Sequence, residues 1–136
     1  MAGRWLLKTE PSTYSFAQLQ RDKRAVWDGV KNPVALKHLR EVKAGDQLLI
    51  YHTGDEKAVV GIAKALSAGY PDPKQNDPKL TVVDLAPIAA LARPVTLKEM
   101  KASAKFQGWD LLRLPRLSVM PVSADHWTEI ERLANA

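Results

Sequence analysis

The chain has 136 residues, 46% of them hydrophobic and 26% charged, ordinary usage for one globular domain with a buried core. It has no cysteine, so disulfides and thiolate metal sites are excluded, and His38, His52 and His126 form neither HxxxH nor HExxH, so no metal or other cofactor is expected. The formal charge of +5 favours phosphate or another anionic surface as partner, although charge alone serves equally well to keep a protein soluble.

At the start of the chain the apolar run is only Trp5, Leu6 and Leu7 before Lys8 intervenes, too short for a secretory leader. No later stretch approaches a bilayer span, so a cytoplasmic protein without a membrane partner is expected. Trp5 to Lys8 reads as a first strand, and Glu10-Pro11-Ser12 as the turn that follows it. Ser15 and Gln18 have capping-box spacing, which predicts a short helix to about Asp22. Ala25-Val26-Trp27 is a brief extended run leading into the loop Asp28 to Asn32. Asn32 then suits an N-cap with Pro33 as first helical residue, and Gly45 is expected to end that helix.

Asp46 to His52 predicts a strand, Thr53 to Lys57 a hairpin loop, and Ala58 to Ser67 the returning strand, with Gly61 marking a bulge or a close backbone approach. A polar loop is expected from Tyr70 to about Lys79, then a strand over Leu80 to Leu91. Thr96 and Glu99 form a second capping box, and a turn of helix is expected between Phe106 and Leu112. A last strand over Leu117 to Val122 precedes a helix capped by Ser123, with Trp127, Ile130 and Leu133 on one face. Five or six strands, short helices and few crossovers of βαβ length predict an α+β arrangement around a curved or closed sheet, in one domain over residues 1–136. A monomer is expected.

The excess positive charge is not spread evenly. Residues 1–44 carry nine Lys/Arg against four Asp/Glu, and residues 93–116 carry six against two. If the fold brings these stretches together, they form one basic rim.

Several segments, taken together, resemble the EVE domain family of PUA-like folds. They are Trp5 to Pro11 with Tyr14-Ser15-Phe16, Trp27 to Pro33, Gly45-Asp46 with Tyr51-His52, Val60 to Ala63, Tyr70-Pro71-Asp72, and Arg116 to Val122 with Trp127. The resemblance covers almost the whole chain. It implies a mixed β-barrel of five to six strands with peripheral short helices. It also implies recognition of a modified base in DNA or RNA, chiefly a cytosine derivative, and a likeness to the YTH readers of methylated adenine. Lys31 departs from the pattern, because arginine is common there, and lysine keeps the charge but loses the planar fork.

A reader of one extruded base needs an apolar surface for stacking, fixed donors and acceptors for the base edge, and cations for the flanking phosphates. Trp27, at the end of an extended run, is the preferred stacking platform, against the alternative of an ordinary core tryptophan. Trp5 and Trp127 read as core, and Trp109 as either packing or pocket rim. Asp28 suits a cytosine amino group or a plain turn. Asn32 suits a base edge or a helix cap, and Val30 of the same motif is counted among the lining residues. Lys8, Thr9, Glu10 and Ser12 leave the first strand as polar groups at a strand end. Tyr51 and His52 suit a second wall, although a strand-end histidine is more often merely solvated. Arg116 suits a phosphate, and the backbone of Leu117 and Ser118 suits a base edge. Lys31, Lys101, Lys105 and Arg113 are the candidate phosphate rim.

Two other readings compete. One is a small-molecule or protein-interaction domain using the same cavity. The other is a nucleic-acid-processing enzyme, for which the chain offers no cysteine nucleophile, no GxSxG and no carboxylate pair at a working spacing. Only His52 with Asp28 or Glu10 would make an acid–base pair, if the fold joined them. No catalytic residue is therefore assigned.

Overall fold

β1 (Arg4–Thr9) is buried through Trp5, Leu6 and Leu7, and it organises the sheet. It pairs in parallel with β3 (Gln47–His52) and antiparallel with β7 (Val119–Pro121). A parallel pair needs a long crossover. Here the crossover contains α1 (Phe16–Asp22), β2 (Ala25–Trp27) and α2 (Pro33–Glu41). β3 turns into β4 (Ala58–Ala65), β4 pairs with the long β6 (Thr81–Thr96), and β6 holds β2 at one edge. The two-residue β5 (Tyr70–Pro71) pairs with the start of β6. The strand order is β2-β6-β4-β3-β1-β7. This computed structural model describes residues 3–136, so the first two residues of the segment read above for a leader lie outside the described part.

The sheet curls into a half-barrel. Register shifts at Ile50/Tyr51 and on both sides of Gly61 supply the bends. At Gly61 the missing side chain is a packing requirement. An added Cβ would lie 2.5 Å from Phe16 Cζ, so the Phe16 ring sits directly on the β4 backbone. α2 packs against β7, one end of the strand order, and β6, next to the other end, and so bridges the gap that hydrogen bonds leave open. Ala35, Leu36 and Leu39 are its buried face.

The remaining helices are short and explicitly capped. Thr96 and Glu99 cap α3 (Leu97–Ala102) reciprocally, as Ser15 and Gln18 cap α1. A single 3₁₀ turn (Ala104–Phe106) leads to α4 (Asp110–Arg113), and Ser123 caps α5 (Ala124–Ala134) by accepting from His126 N. Such caps contribute about 1 kcal/mol each, which matters for helices of one or two turns.

Pairing partners move several boundaries away from the sequence expectation. β6 continues to Thr96 because Ala58 and Val59 pair with Thr96 and Val95. β7 is limited to three residues, opposite Leu7, Leu6 and Trp5. Tyr70-Pro71 is a strand rather than the start of a loop. α2 ends at Glu41 with Val42 as its cap, and Gly45, at φ +92°, makes the turn into β3 instead. No helix among the described residues is long and apolar enough to cross a membrane.

The fold pins three tryptophans. Trp5 Nε1 donates to buried Asp46 (2.9 Å), and Trp109 Nε1 donates to Pro121 O (3.1 Å) within a cluster of Phe106 and His126. Trp127 lies on the buried face of α5. The pocket-rim alternative for Trp109 is thereby set aside. Trp27 is equally buried, 7% exposed and part of the core, and differs only in lining an open depression.

Candidate nucleic-acid interface

The candidate residues converge on the end of β1, where they divide among three depressions. The first, of about 300 Å³, is lined by Thr9, Thr13, Tyr14, Ala25, Val26, Trp27 and Asp28. Trp27 ends β2, where pairing with Val83 fixes its backbone. Its ring meets Tyr14 edge-on, with centroids 6.4 Å apart and planes at 81°. Tyr14 is fixed in turn by its hydroxyl, which donates to Asp22 (2.8 Å). Burial first, and that hydrogen bond second, push the Tyr14 phenol up to about 12, so it remains a neutral donor. Thr9 Oγ1 donates to Tyr14 O (2.7 Å), which closes the turn between β1 and α1. The Asp28 side chain is exposed and sits at the mouth.

A second depression, of about 250 Å³, lies on the other side of β1. Lys8, Tyr51, Thr53, Gly54, Lys57, Leu97, Lys101, Leu111 and Pro115 line it. Lys8 Nζ lies 5.5 Å from the Tyr51 ring centroid and donates to Pro115 O (3.0 Å). Burial lowers the Lys8 pKa and pushes the Tyr51 phenol up to about 12. A third, more apolar groove of about 340 Å³ is formed by Asn32, Val34, Leu114, Pro115, Arg116 and Leu117.

The three are contiguous through shared chain. Lys8 and Thr9 are consecutive and line the second and first depressions respectively, as the two-residue period of a strand requires. The loop from Asp28 to Asn32 runs from the first depression to the third, and Pro115 lines both the second and the third. The two basic stretches of the sequence meet here, since Lys8 touches Pro115 and shares a depression with Lys101.

Several candidate residues take other work. His52 is buried; its Nε2 accepts from Phe16 N (3.0 Å), and its Nδ1 is 2.6 Å from Glu56 Oε1. It anchors α1 to the sheet and pairs with neither Asp28 nor Glu10, so it forms no ligand wall. Glu10 Oε1 accepts from Ser12 N and Ser12 Oγ (3.1 and 3.0 Å), and these bonds hold the Glu10 carboxyl below its ordinary range. Glu10 and Ser12 thus close their own turn, and Lys8 turns to Pro115 O instead of Glu10.

Asn32 caps α2, its Oδ1 accepting from Val34 N and Ala35 N (2.9 and 3.1 Å), while the residue also borders the third groove. Val30 is buried in the core. Leu117 N donates to Leu114 O, and Ser118 O accepts from Lys8 N (2.9 Å), so these backbone groups are occupied internally. Lys105 pairs with Glu129 (3.3 Å) and Arg113 with Asp110 (2.6 Å), which diverts both from the rim. Lys31, Lys101 and Arg116 are exposed and form no ion pair among the described residues.

The sequence reading missed Thr13, Tyr14 and Lys57 as lining groups. Tyr14 stood in the family-like segment, five residues beyond Thr9, and only the turn at Pro11 folds it back against Trp27. Lys57 carried no signal, being one charge in a hairpin loop.

The chain is similar to known proteins over nearly its whole length. The family model described as EVE domain matches residues 3–133. Mouse thymocyte nuclear protein 1 is 27% identical over 90% of this chain and 70% of its own length. Rpa0253 from Rhodopseudomonas palustris superposes with a TM-score of 0.93 at 34% identity, covering 98% of this chain and 94% of that one. Human THYN1 in complex with DNA containing 5-methylcytosine superposes with a TM-score of 0.90 at 25% identity, covering 99% of each chain.

Proposed function

The chain belongs to the EVE domain family, and from that premise we propose that it is a nucleic-acid-binding module holding one modified base, a cytosine derivative in DNA or RNA, in the depression beside Trp27. The observation that carries this reading is the open space next to the Trp27 indole, walled by Tyr14 and with the Asp28 carboxylate at its mouth. That the human relative was captured with DNA containing 5-methylcytosine supports it.

In this reading the extruded base gains about 1–3 kcal/mol from the aromatic surface. Asp28 accepts from an exocyclic amino group, as a carboxylate does from cytosine N4. Ala25 and Val26 offer apolar contact to a base methyl, worth about 1–3 kcal/mol in such a pocket. Thr9 and Thr13 supply hydroxyl oxygens near the base edge. The role is binding rather than catalysis, in a monomer working in the cytoplasm. His52, committed to Phe16 and Glu56, makes no acid–base pair with Asp28.

The test is an equilibrium binding screen of matched oligonucleotides at fixed salt. Each differs in one base: cytosine, 5-methylcytosine or another cytosine derivative, in single and double strands. A preference for one modified base supports the reading, and equal affinity for all overturns it.

A further inference from the structure

The second depression is chemically unlike the first. It has an apolar floor of Tyr51, Leu97 and Leu111, and Lys8, Lys57 and Lys101 are on its lining while no carboxylate is. We propose that this depression is a phosphate seat, in which Lys8, Lys57 and Lys101 hold one backbone phosphate of the strand whose modified base lies beside Trp27. The assignment rests on the base-binding reading for its source of phosphate, but not for its chemistry.

Lys8 is the centre of the seat. Its ammonium lies over the Tyr51 ring, 5.5 Å from the centroid, and of its three protons one goes to Pro115 O. The other two are available to an anion. Burial disfavours the charge on Lys8, and an incoming phosphate would restore it. Lys57 is held at the rim in a left-handed turn conformation (φ 46°), with its carbonyl accepting from Leu97 N (2.8 Å), which ties the hairpin to the start of α3. Lys101 approaches from α3 itself.

Three carboxylates stand near the seat without lining it: Asp55 and Glu56 border an adjoining hollow shared with Lys57, Leu97 and Lys101, and Glu10 lies behind Thr53 and Gly54, one oxygen occupied by Ser12 and the other 3.4 Å from Thr53 Oγ1. Glu56 is drawn away to His52. Since Lys8 and Thr9 are adjacent yet face opposite sides, a strand crossing the end of β1 reaches the base depression on one side and the lysines on the other. The third groove, with Arg116 as its only charged lining residue, suits an apolar contact better than a phosphate.

The experiment uses Lys8→Met, which keeps an unbranched apolar side chain of similar length without the charge, and the exposed Lys101→Ala, each confirmed folded by circular dichroism. Binding to a modified oligonucleotide and its unmodified match is followed across a salt series. Loss of one phosphate contact reduces the slope of log affinity against log salt by about 0.9 on duplex or about 0.7 on single strands. Between about 50 and 200 mM salt, each variant should therefore lose about threefold less affinity than the parent. The preference for the modified base should be retained, because base and phosphate sit in different depressions. An unchanged slope in both variants overturns the seat.

A second arm titrates inorganic phosphate into the parent chain and follows the lysine side-chain resonances by NMR. Saturable shifts at Lys8 and Lys101, lost in Lys8→Met, support the seat even if no oligonucleotide shows base preference. Their absence overturns it as an unchanged slope does, while leaving the base reading to its own test.

Discussion

Lys8 and Tyr51 are direct partners across the parallel β1–β3 ladder, and the Lys8 ammonium lies 5.5 Å from the centre of the Tyr51 ring. The next pair, Thr9 and His52, has the same register but the opposite facing. That alternation divides the interface into an aromatic depression and a cationic one. Thr9 joins Trp27 and Asp28 on one side, and Lys8 joins Lys57 and Lys101 on the other.

Asp28 is exposed, and its carboxylate forms no ion pair among the described residues, so Asp28→Ala isolates base recognition from stability. Its removal should cost about 1–3 kcal/mol of discrimination for a base with an exocyclic amino group, the worth of a good base-edge contact. Fluorescence anisotropy with modified and unmodified strands measures this, and the thermal midpoint should not move.

His52 was a candidate wall in the sequence and is an anchor in the fold. His52→Ala leaves the buried Phe16 N–H without an acceptor, at a cost of about 1–3 kcal/mol. Thermal denaturation should show a midpoint lower by several degrees, while the preference for a modified base persists in the folded fraction.

Gly61→Ala introduces a Cβ 2.5 Å from Phe16 Cζ, against the strand backbone. Overpacking of this kind costs about 1–3 kcal/mol. Urea denaturation should show the loss, and combining the change with Phe16→Leu should recover part of it.

Arg93 grips both oxygens of Glu99 at 2.9 Å and also donates to Leu133 O, tying β6, α3 and α5 together. The guanidinium, with help from Thr96 N, holds the Glu99 carboxyl at about 2, below its ordinary 4.5. A lowered folded-state value means the contribution is complete above the unfolded value and is lost as pH falls towards about 2. Glu99→Gln should therefore reduce stability near neutral pH, and the difference from the parent should shrink between about pH 5 and pH 2 in acid-denaturation curves.

Local chemistry made much of the fold readable in the sequence. Three helix starts follow from side chains that bond their own backbone, at Ser15, Thr96 and Ser123, and a fourth from Asn32 with Pro33. What escaped was non-local. The length of β6 depends on Ala58 and Val59, which pair with Thr96 and Val95 from 38 and 36 residues earlier in the chain, and Tyr70-Pro71 becomes a strand only because Val82 and Thr81 offer an edge.

The candidate site was legible as residue types but not as sides. Lys8 and Thr9 were read as one polar strand end, though a strand sends them to opposite faces. Lys105 and Arg113 looked like rim cations because Glu129 and Asp110 could not be seen beside them. His52 needed the position of Phe16 N, thirty-six residues earlier, before its role was visible.

The most direct measurement compares Trp27→Ala and Trp27→Phe with the parent chain, on a matched pair of oligonucleotides carrying 5-methylcytosine or cytosine at one position. Truncating a buried tryptophan also costs about 3–5 kcal/mol of stability, so folding is verified at the binding temperature. Loss of the indole should remove about 1–3 kcal/mol of binding, roughly 5- to 150-fold, from the modified strand and collapse the preference, with phenylalanine intermediate. Affinity for the unmodified strand, carried by phosphate contacts, should change far less. A folded Trp27→Ala protein that still prefers the modified strand as strongly as its parent would contradict the account.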